Sequence, residues 1–327
     1  MSAPIPSLAL AALAILALQP GAPVTAQTPP RSAGAPTTTA PTPAVMQPKR
    51  FASVQEAAQA LVAALRADDT RALLEILGSE GRALIASGDP VADRHVRAGF
   101  VTSYDQGSRL VASGSAMILR IGDDDWPFPI PLIEDRERWR FDVRQGLEEI
   151  IARRVGRNEL NTIQVALAYV DAQREYYAED RDGDGILEYA PRFASSAGKR
   201  DGLYWPSGGG ERLSPLGDLV AHAQAEGYQL GTTGRPTPFH GYLFHVLTGQ
   251  GDAAGDGAYD YVVRGHMIAG FGMVAFPAQY GVSGVMTFIV NHDGVVHQKD
   301  LGPTTTAVAT AMRRFNPDAS WSKADVH

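Results

Sequence analysis

The 327-residue chain contains no cysteine. This absence excludes disulfide bonds, thiolate nucleophiles, cysteine-bound metals and a lipid-modified cysteine. The chain also lacks an excess of basic residues, since 29 Lys and Arg stand against 36 Asp and Glu, for a formal net charge of −7 at pH 7. An acidic surface repels nucleic acid and anionic membranes, so we expect neither as a partner.

Familiar catalytic motifs are absent as well. No Gly-x-Ser-x-Gly elbow, His-Glu-x-x-His pair or phosphate-binding loop occurs. His240, His245 and His266 could supply imidazoles, with Asp201, Glu226 and Asp260 as partners. However, His240 and His245 are five residues apart, which in a strand points them to opposite faces, so they cannot share a metal. We therefore expect these histidines to be structural or exposed.

The one long apolar run of the sequence lies at the N-terminus. Residues 1–26 carry no charged side chain, are apolar from Leu8 to Leu18, and end in Val24-Thr25-Ala26. This small-x-small ending predicts a signal peptide cleaved after Ala26. We expect a periplasmic or secreted protein, with no integral membrane segment in the mature chain.

Residues 27–50 are rich in Pro, Thr and Ala and contain three basic residues and no acidic one. Such a segment buries too little apolar surface to offset its ordering entropy, which predicts a disordered linker.

Residues 51–155 alternate from helical to strand patterns and predict an α+β domain. Ser53 and Glu56 form a capping box that opens a helix ending near Ala67. Further helices are predicted over 70–77 and 93–104, and strands over 117–121 and 139–143 around a proline-rich edge segment. This order, with Trp139 in the last strand, resembles the cone-shaped nuclear-transport-factor-like fold: helices plus a curved antiparallel sheet.

Residues 156–327 predict a second α+β domain, in which a long helix over 158–177 precedes a run of strands. A short helix is expected over 216–226, followed by strands over 242–247, 259–263, 271–276, 285–291 and 295–299. The last two join through Asp293-Gly294, a dipeptide typical of a hairpin turn. The arrangement resembles the globular head of type IV pilins and pseudopilins. No hydrophobic stem precedes Asn158, so assembly into a fibre is not expected.

The strongest site motif follows this long helix. Three carboxylates at alternating positions precede Gly185, as in loops that coil around Ca²⁺. Pro191 stands where an EF-hand has its bidentate Glu, which leaves a short calcium loop. The alternative is a solvated acidic turn. The predicted ligands of a structural Ca²⁺ are Asp180, Asp182, Asp184, the carbonyl of Ile186, and Glu188.

Two other segments are weaker candidates. Asp123 to Asp125 are adjacent carboxylates that face alternate directions in an extended segment, so we expect a solvated turn and no cation site. Residues 199–206 combine charge with large aromatics, as ligand-contact loops do, or cap the core.

Over its full length the chain resembles a bacterial exported family known as domain-of-unknown-function family 2950. The matching text includes Gly88-Asp89-Pro90, Trp126-Pro127-Phe128-Pro129, Asn158-Glu159-Leu160, Tyr204-Trp205-Pro206 and Asn291-His292-Asp293-Gly294. The resemblance supplies no catalytic or binding residue. Our hypothesis is a non-enzymatic, calcium-containing module that binds an envelope protein or a small ligand. The alternative is a secreted hydrolase-type enzyme with its site in the pocket of the N-terminal cone.

Overall fold

The computed structural model describes residues 46–207, 213–229 and 237–325; the predicted signal peptide and residues 27–45 of the predicted linker lie outside them. Helices and antiparallel sheets together confirm the α+β class. No helix among these residues is both long and apolar enough to cross a membrane. The helices are α1 (Val54–Arg66), α2 (Thr70–Leu77), α3 (Arg82–Ile85), α4 (Pro90–Gln106), α5 (Val143–Tyr177), α6 (Gly217–Ala225) and α7 (Thr305–Ala311).

The described strands are short, and most pair antiparallel. They are β1 (Ser108–Ser113), β2 (Ala116–Ile121), β3 (Trp126–Pro127), β4 (Leu132–Glu134), β5 (Trp139–Phe141), β6 (Tyr242–Leu247), β7 (Gly249–Gln250), β8 (Tyr259–Asp260), β9 (Val262–Val263), β10 (His266–Met267), β11 (Gly272–Pro277), β12 (Met286–Asn291), β13 (His297–Asp300), β14 (Arg314–Phe315) and β15 (Ser322–Lys323).

The N-terminal half packs α1, α2 and α4 on a sheet with strand order β1-β2-β4-β5, in which β3 also pairs with β2. The capping box forms in part: the Ser53 hydroxyl accepts from the Glu56 amide at 3.1 Å as predicted, whereas the Glu56 carboxylate accepts at 2.8 Å from the amide of Ala52, the residue before the cap. The core between helices and sheet is filled by large apolar side chains. Six that are almost fully enclosed are Phe51, Leu61, Leu73, Leu119, Ile130 and Phe141.

The long helix begins earlier than the sequence suggests. Asn158 is not its cap, because α5 runs without interruption from Val143 to Tyr177, over 35 residues. Gly146, an unfavourable residue in a helix, is required there because a Cβ would collide with the backbone of Pro129 and Ile130. The helix therefore approaches the N-terminal sheet segment closely through its first turn.

Helix α5 contributes to two separate cores. Val143, Leu147 and Ile150 pack in the N-terminal core, whereas the residues from Ile163 onward pack in the C-terminal one. The predicted domain boundary at 155/156 falls between these two groups, inside the helix. Independent folding of the two parts stays a prediction.

The C-terminal half is built on a sheet with strand order β15-β13-β12-β11-β6. Strand β11, which lies between β12 and β6, is buried along its whole length, because both faces of the sheet are covered. Met273 and Ala275 face the core beneath α5, and Val274 and Phe276 face a second core that includes Ala309 of α7. The alternation follows from the two-residue period of a strand.

Several strands differ from their predicted form. The single strand expected over 259–263 is two short strands: β8 pairs with β7, and β9 pairs with β10. Strand β1, which pairs with β2 along its full length, was not predicted. Its residues are mostly exposed, and its sequence shows little alternation of apolar and polar residues.

Candidate functional site

The acidic loop lies just beyond the C-terminus of α5. Asp180, Asp182 and Asp184 each offer a carboxylate oxygen, and these oxygens lie within 4.8 Å of one another. Amides shape the loop: the Asp180 carboxylate accepts from Gly183 at 2.7 Å and from Gly185 at 2.9 Å. Both glycines have positive φ, at 81° and 86°, which other residues rarely adopt. The sequence therefore brings three predicted ligands together through its glycine spacing.

The other two predicted ligand residues, Ile186 and Glu188, do not belong to this group of three carboxylates. The Glu188 carboxylate lies 3.2 Å from the Nδ1 atom of His266, and one Asp184 oxygen lies 3.3 Å from the same atom. The Ile186 amide donates to Asp184 at 2.8 Å. Glu188 is thus engaged by a histidine that is distant in sequence, which sequence reasoning did not assign to the loop.

The charges of the loop suit a cation. Hydrogen bonds from the Gly185 and Gly183 amides lower the pKa of Asp180, which keeps that carboxylate ionised. Desolvation raises the pKa of Glu188, opposed by its hydrogen bond to His266. Calcium binds carboxylate oxygens at about 2.3 to 2.6 Å. Three oxygens within 4.8 Å can therefore contact one such ion, and Asp180, Asp182 and Asp184 would hold it.

A second group of possible metal ligands was not singled out in the sequence. Asp256, His292 and Asp293 also bring one ligand atom each within 4.8 Å. The Nε2 atom of His292 lies 3.9 Å from Asp293 and 3.4 Å from the Tyr259 hydroxyl. The ring packs against Tyr261 at 5.7 Å between centroids.

In the aspartate run before Trp126, one carboxylate has arginine partners. Asp125 is held between Arg109 and Arg120, which form ion pairs with it. The hydrogen bond from Arg109 is the largest cause that lowers the pKa of Asp125, to about 2. Its carboxylate is neutralised by guanidinium groups.

An apolar cavity of about 330 Å³ lies beside α6. It is lined by α5, α6, β6 and the segments around Phe193 and Phe239, and it is partly open to solvent. Its polar lining groups are the neutral side chains Gln224, Gln229 and Thr237, besides two tyrosines. Six aliphatic and aromatic residues that form its walls are Val165, Phe193, Leu219, Val220, Phe239 and Phe244. The residues that line it come from distant parts of the chain, so no local sequence pattern predicts the cavity.

The two tyrosines of the cavity wall use their hydroxyls elsewhere. Tyr169 donates to the Gly272 carbonyl at 3.1 Å, and Gln173 donates to the Tyr169 hydroxyl at 3.0 Å. Tyr228 donates to the Asp89 carboxylate at 2.9 Å. Burial, and then the charge of Asp89, raise the pKa of Tyr228, so its hydroxyl remains a donor. The rings face the cavity while the hydroxyls stabilise the protein around it.

Asp89 ties the two halves of the chain together at this cavity. One of its oxygens caps α4 by accepting from the Val91 and Ala92 amides, each at 3.1 Å. The other accepts from Tyr228 and from the Gly241 amide, the latter at 2.8 Å. Asp89 is only 1% exposed, so these bonds exclude water. The motif Gly88-Asp89-Pro90 thereby fixes one wall of the cavity.

The histidines considered in the sequence do not form a shared centre. His240 lies 3.3 Å from Glu226, near Phe239 of the cavity wall. The Nε2 atom of His245 lies 2.9 Å from the Met312 carbonyl. In the loop over 199–206, Trp205 is buried with Arg181 and Arg200 over its ring, at 5.8 and 5.5 Å. That aromatic residue therefore belongs to the core.

The N-terminal half contains a polar pocket of about 440 Å³. It is lined by Arg50, Arg140 and Arg144 together with acidic side chains. Asp135 pairs with Arg50 at 2.7 Å and with Arg140 at 3.3 Å. None of the described residues that line this pocket is a histidine.

Comparison with known proteins gives one match. No curated protein matches the chain, and no solved structure does. A family model described as "Protein of unknown function (DUF2950)" matches residues 48–324, which include both halves, the acidic loop and the cavity. The chain therefore belongs to the DUF2950 family.

Proposed function

We propose that this protein is an exported, non-enzymatic binding module whose ligand site is the apolar cavity beside α6. The observation that carries the proposal is the cavity lining: among the described residues it consists of aliphatic and aromatic side chains with three neutral polar ones, without a carboxylate, histidine, lysine or arginine. A binding site is typically concave, mostly apolar and of about 300 to 1,000 Å³. Acid–base or nucleophilic catalysis would instead need ionisable groups converging on the cavity.

The test separates binding from catalysis. Wild-type protein and the cavity-filling variant Ala223→Trp are incubated with cell-envelope extract, washed, denatured, and analysed by mass spectrometry for released small molecules. A binding module releases a molecule that is enriched on the wild type, absent from Ala223→Trp, and unchanged in mass from the extract. Conversion of that molecule by the wild type during incubation would favour the hydrolase alternative.

The helix α6 provides a matched control. Ala221 is exposed on the same helix and does not line the cavity, whereas Ala223 does. Ala221→Trp adds the same indole to the same helix without filling the cavity. It should therefore release the same molecule as the wild type.

We further propose that the acidic loop holds a structural Ca²⁺. The convergence of Asp180, Asp182 and Asp184 supports this, since carboxylate charges held this close repel one another without a cation. The Ile186 carbonyl, Glu188 and water would complete the coordination shell, and His266 lies within 3.2 Å of Glu188 and 3.3 Å of Asp184 beside it. We expect weak affinity, on the order of 10⁻⁴ to 10⁻³ M, as for extracellular modules.

Thermal melting in chelator and in millimolar Ca²⁺ tests the calcium proposal. Bound Ca²⁺ should raise the melting temperature by mass action. Asp182→Ala should remove this response, because it deletes a ligand from an exposed loop and leaves the core intact. Asp124→Ala, in the other aspartate run, should retain the full response. An equal calcium shift in Asp182→Ala would contradict the assignment.

Export is the remaining part of the proposal. It rests on the uncharged apolar segment over 1–26 and its Val24-Thr25-Ala26 ending. N-terminal sequencing of secreted or periplasmic material should give Gln27 as the first residue. Intact Met1 in a purely cytoplasmic fraction would contradict both the export and the compartment.

A further inference from the structure

The size of the cavity beside α6 limits what it can hold. At about 330 Å³ it lies at the lower end of the range for small-molecule sites. A folded partner domain or a long peptide does not fit such a volume. A molecule of two or three rings does.

The charges around the cavity limit the ligand further. None of the described lining residues carries a formal charge. The nearby Glu226 lies 3.3 Å from His240 and so has a partner of its own. Moving a charged group from water into this lining without a counter-charge costs several kcal/mol. An uncharged ligand avoids that cost.

The walls also favour an aromatic ligand. Tyr169 and Phe193 form a tilted pair with centroids 5.5 Å apart on one side. Tyr228 and Phe239 form an edge-to-face pair at 5.0 Å on another. Aromatic rings add to such arrangements with favourable edge and face contacts. Gln224, Gln229 and Thr237 can each hydrogen-bond a neutral polar group.

We infer that the cavity beside α6 binds an uncharged, largely aromatic small molecule with one or two neutral polar groups. This inference rests on the proposed binding function and names the ligand class of the same site. It concerns the ligand's charge and shape, which the binding function alone does not specify.

Two fluorescent probes with the same skeleton test the inference. N-phenyl-1-naphthylamine is uncharged, and 1-anilinonaphthalene-8-sulfonate carries the same rings with one added sulfonate. Titration of the full-length mature protein should give saturable binding of the uncharged probe. The sulfonate probe should bind at least about tenfold more weakly, because its charge has no partner in the lining.

Variants from two walls locate the bound probe. Ala223→Trp fills the cavity from α6, and Val165→Phe fills it from α5. Each should reduce binding of the uncharged probe by at least about tenfold, while Ala221→Trp binds it like the wild type. Melting curves identify which variants are folded, and if Ala223→Trp is unfolded, Val165→Phe decides.

Three results would overturn the inference: no binding of the uncharged probe to the wild type, equal affinity for both probes, or full affinity in the folded filled variants. A charged molecule recovered from envelope extract that depends on Ala223 would overturn the ligand class. That same result would leave the binding function standing, so the two failures are distinguishable.

Discussion

Asp89 should contribute more to stability than any ordinary helix cap, because it performs two tasks. It caps α4, which is worth about 1 kcal/mol. Its carboxylate also accepts hydrogen bonds from the Tyr228 hydroxyl and the Gly241 amide, and Asp89 is only 1% exposed. Each buried donor left without a partner costs about 1 to 3 kcal/mol. Asp89→Ala should therefore lower the free energy of unfolding by about 3 to 7 kcal/mol.

The chain contains a matched control for the cap alone. Asp69 caps α2 by accepting from the Arg71 amide at 3.0 Å and the Ala72 amide at 2.9 Å, and it is exposed. Asp69→Ala should lower the free energy of unfolding by only about 1 kcal/mol. Asp89→Asn keeps a capping oxygen but presents an NH₂ group to a donor, so it should cost an intermediate amount.

Urea denaturation followed by circular dichroism and by tryptophan fluorescence measures these differences. The gap between Asp89→Ala and Asp69→Ala reports the bonds between the two halves of the chain. An Asp89→Ala loss no larger than that of Asp69→Ala would refute the reasoning, because the bonds to Tyr228 and Gly241 would then contribute nothing.

Three further predictions follow from named contacts. Gly284→Ala should destabilise the protein by about 1 to 3 kcal/mol, because its Cβ would overlap the buried Tyr242 ring, while Gly255→Ala, in open space, should change stability by under about 0.5 kcal/mol in urea melts. Burial lowers the pKa of His245, so the unfolded chain takes up the proton at a higher pH than the folded protein does. The free energy of unfolding should therefore fall as the pH drops below about 6.5. In His245→Gln this pH dependence should be shallower, with a limiting difference of about 1.4 kcal/mol per pH unit. A fragment over 155–327 should melt cooperatively but below the full chain, because it keeps the C-terminal core and loses Asp89; a molten fragment would contradict separate folding.

Local signals predicted the local structure. Ser53 and Glu56 predicted the start of α1. The helical and strand-like patterns of short segments predicted the bounds of α2, β2 and β6 to within one or two residues. The predicted start of α5 was wrong because Gly146 and Gly156 weaken the helical pattern of the sequence. The packing that favours Gly146 comes from Pro129 and Ile130, which no local pattern links to the helix. Tertiary contacts decided that boundary.

The same division holds for the candidate sites. The spacing of Asp180, Asp182 and Asp184 was enough to predict that they converge, because the glycines between and after them turn the backbone. The contact between Glu188 and His266 spans 78 residues, and the cavity joins side chains from Val165 to Phe244. Such contacts depend on how the sheet and helices pack, which short sequence patterns do not encode.

The most direct test of the binding function is a methyl chemical-shift map with the uncharged naphthylamine probe. Methyl signals of Val165, Leu219 and Val220, which line the cavity, should shift and saturate together at one equivalent of probe. Methyl signals of the exposed residues Val96, Ile186 and Val263 should stay in place. Shifts confined to those exposed residues, or no shifts at all, would contradict binding of an uncharged aromatic molecule in the cavity.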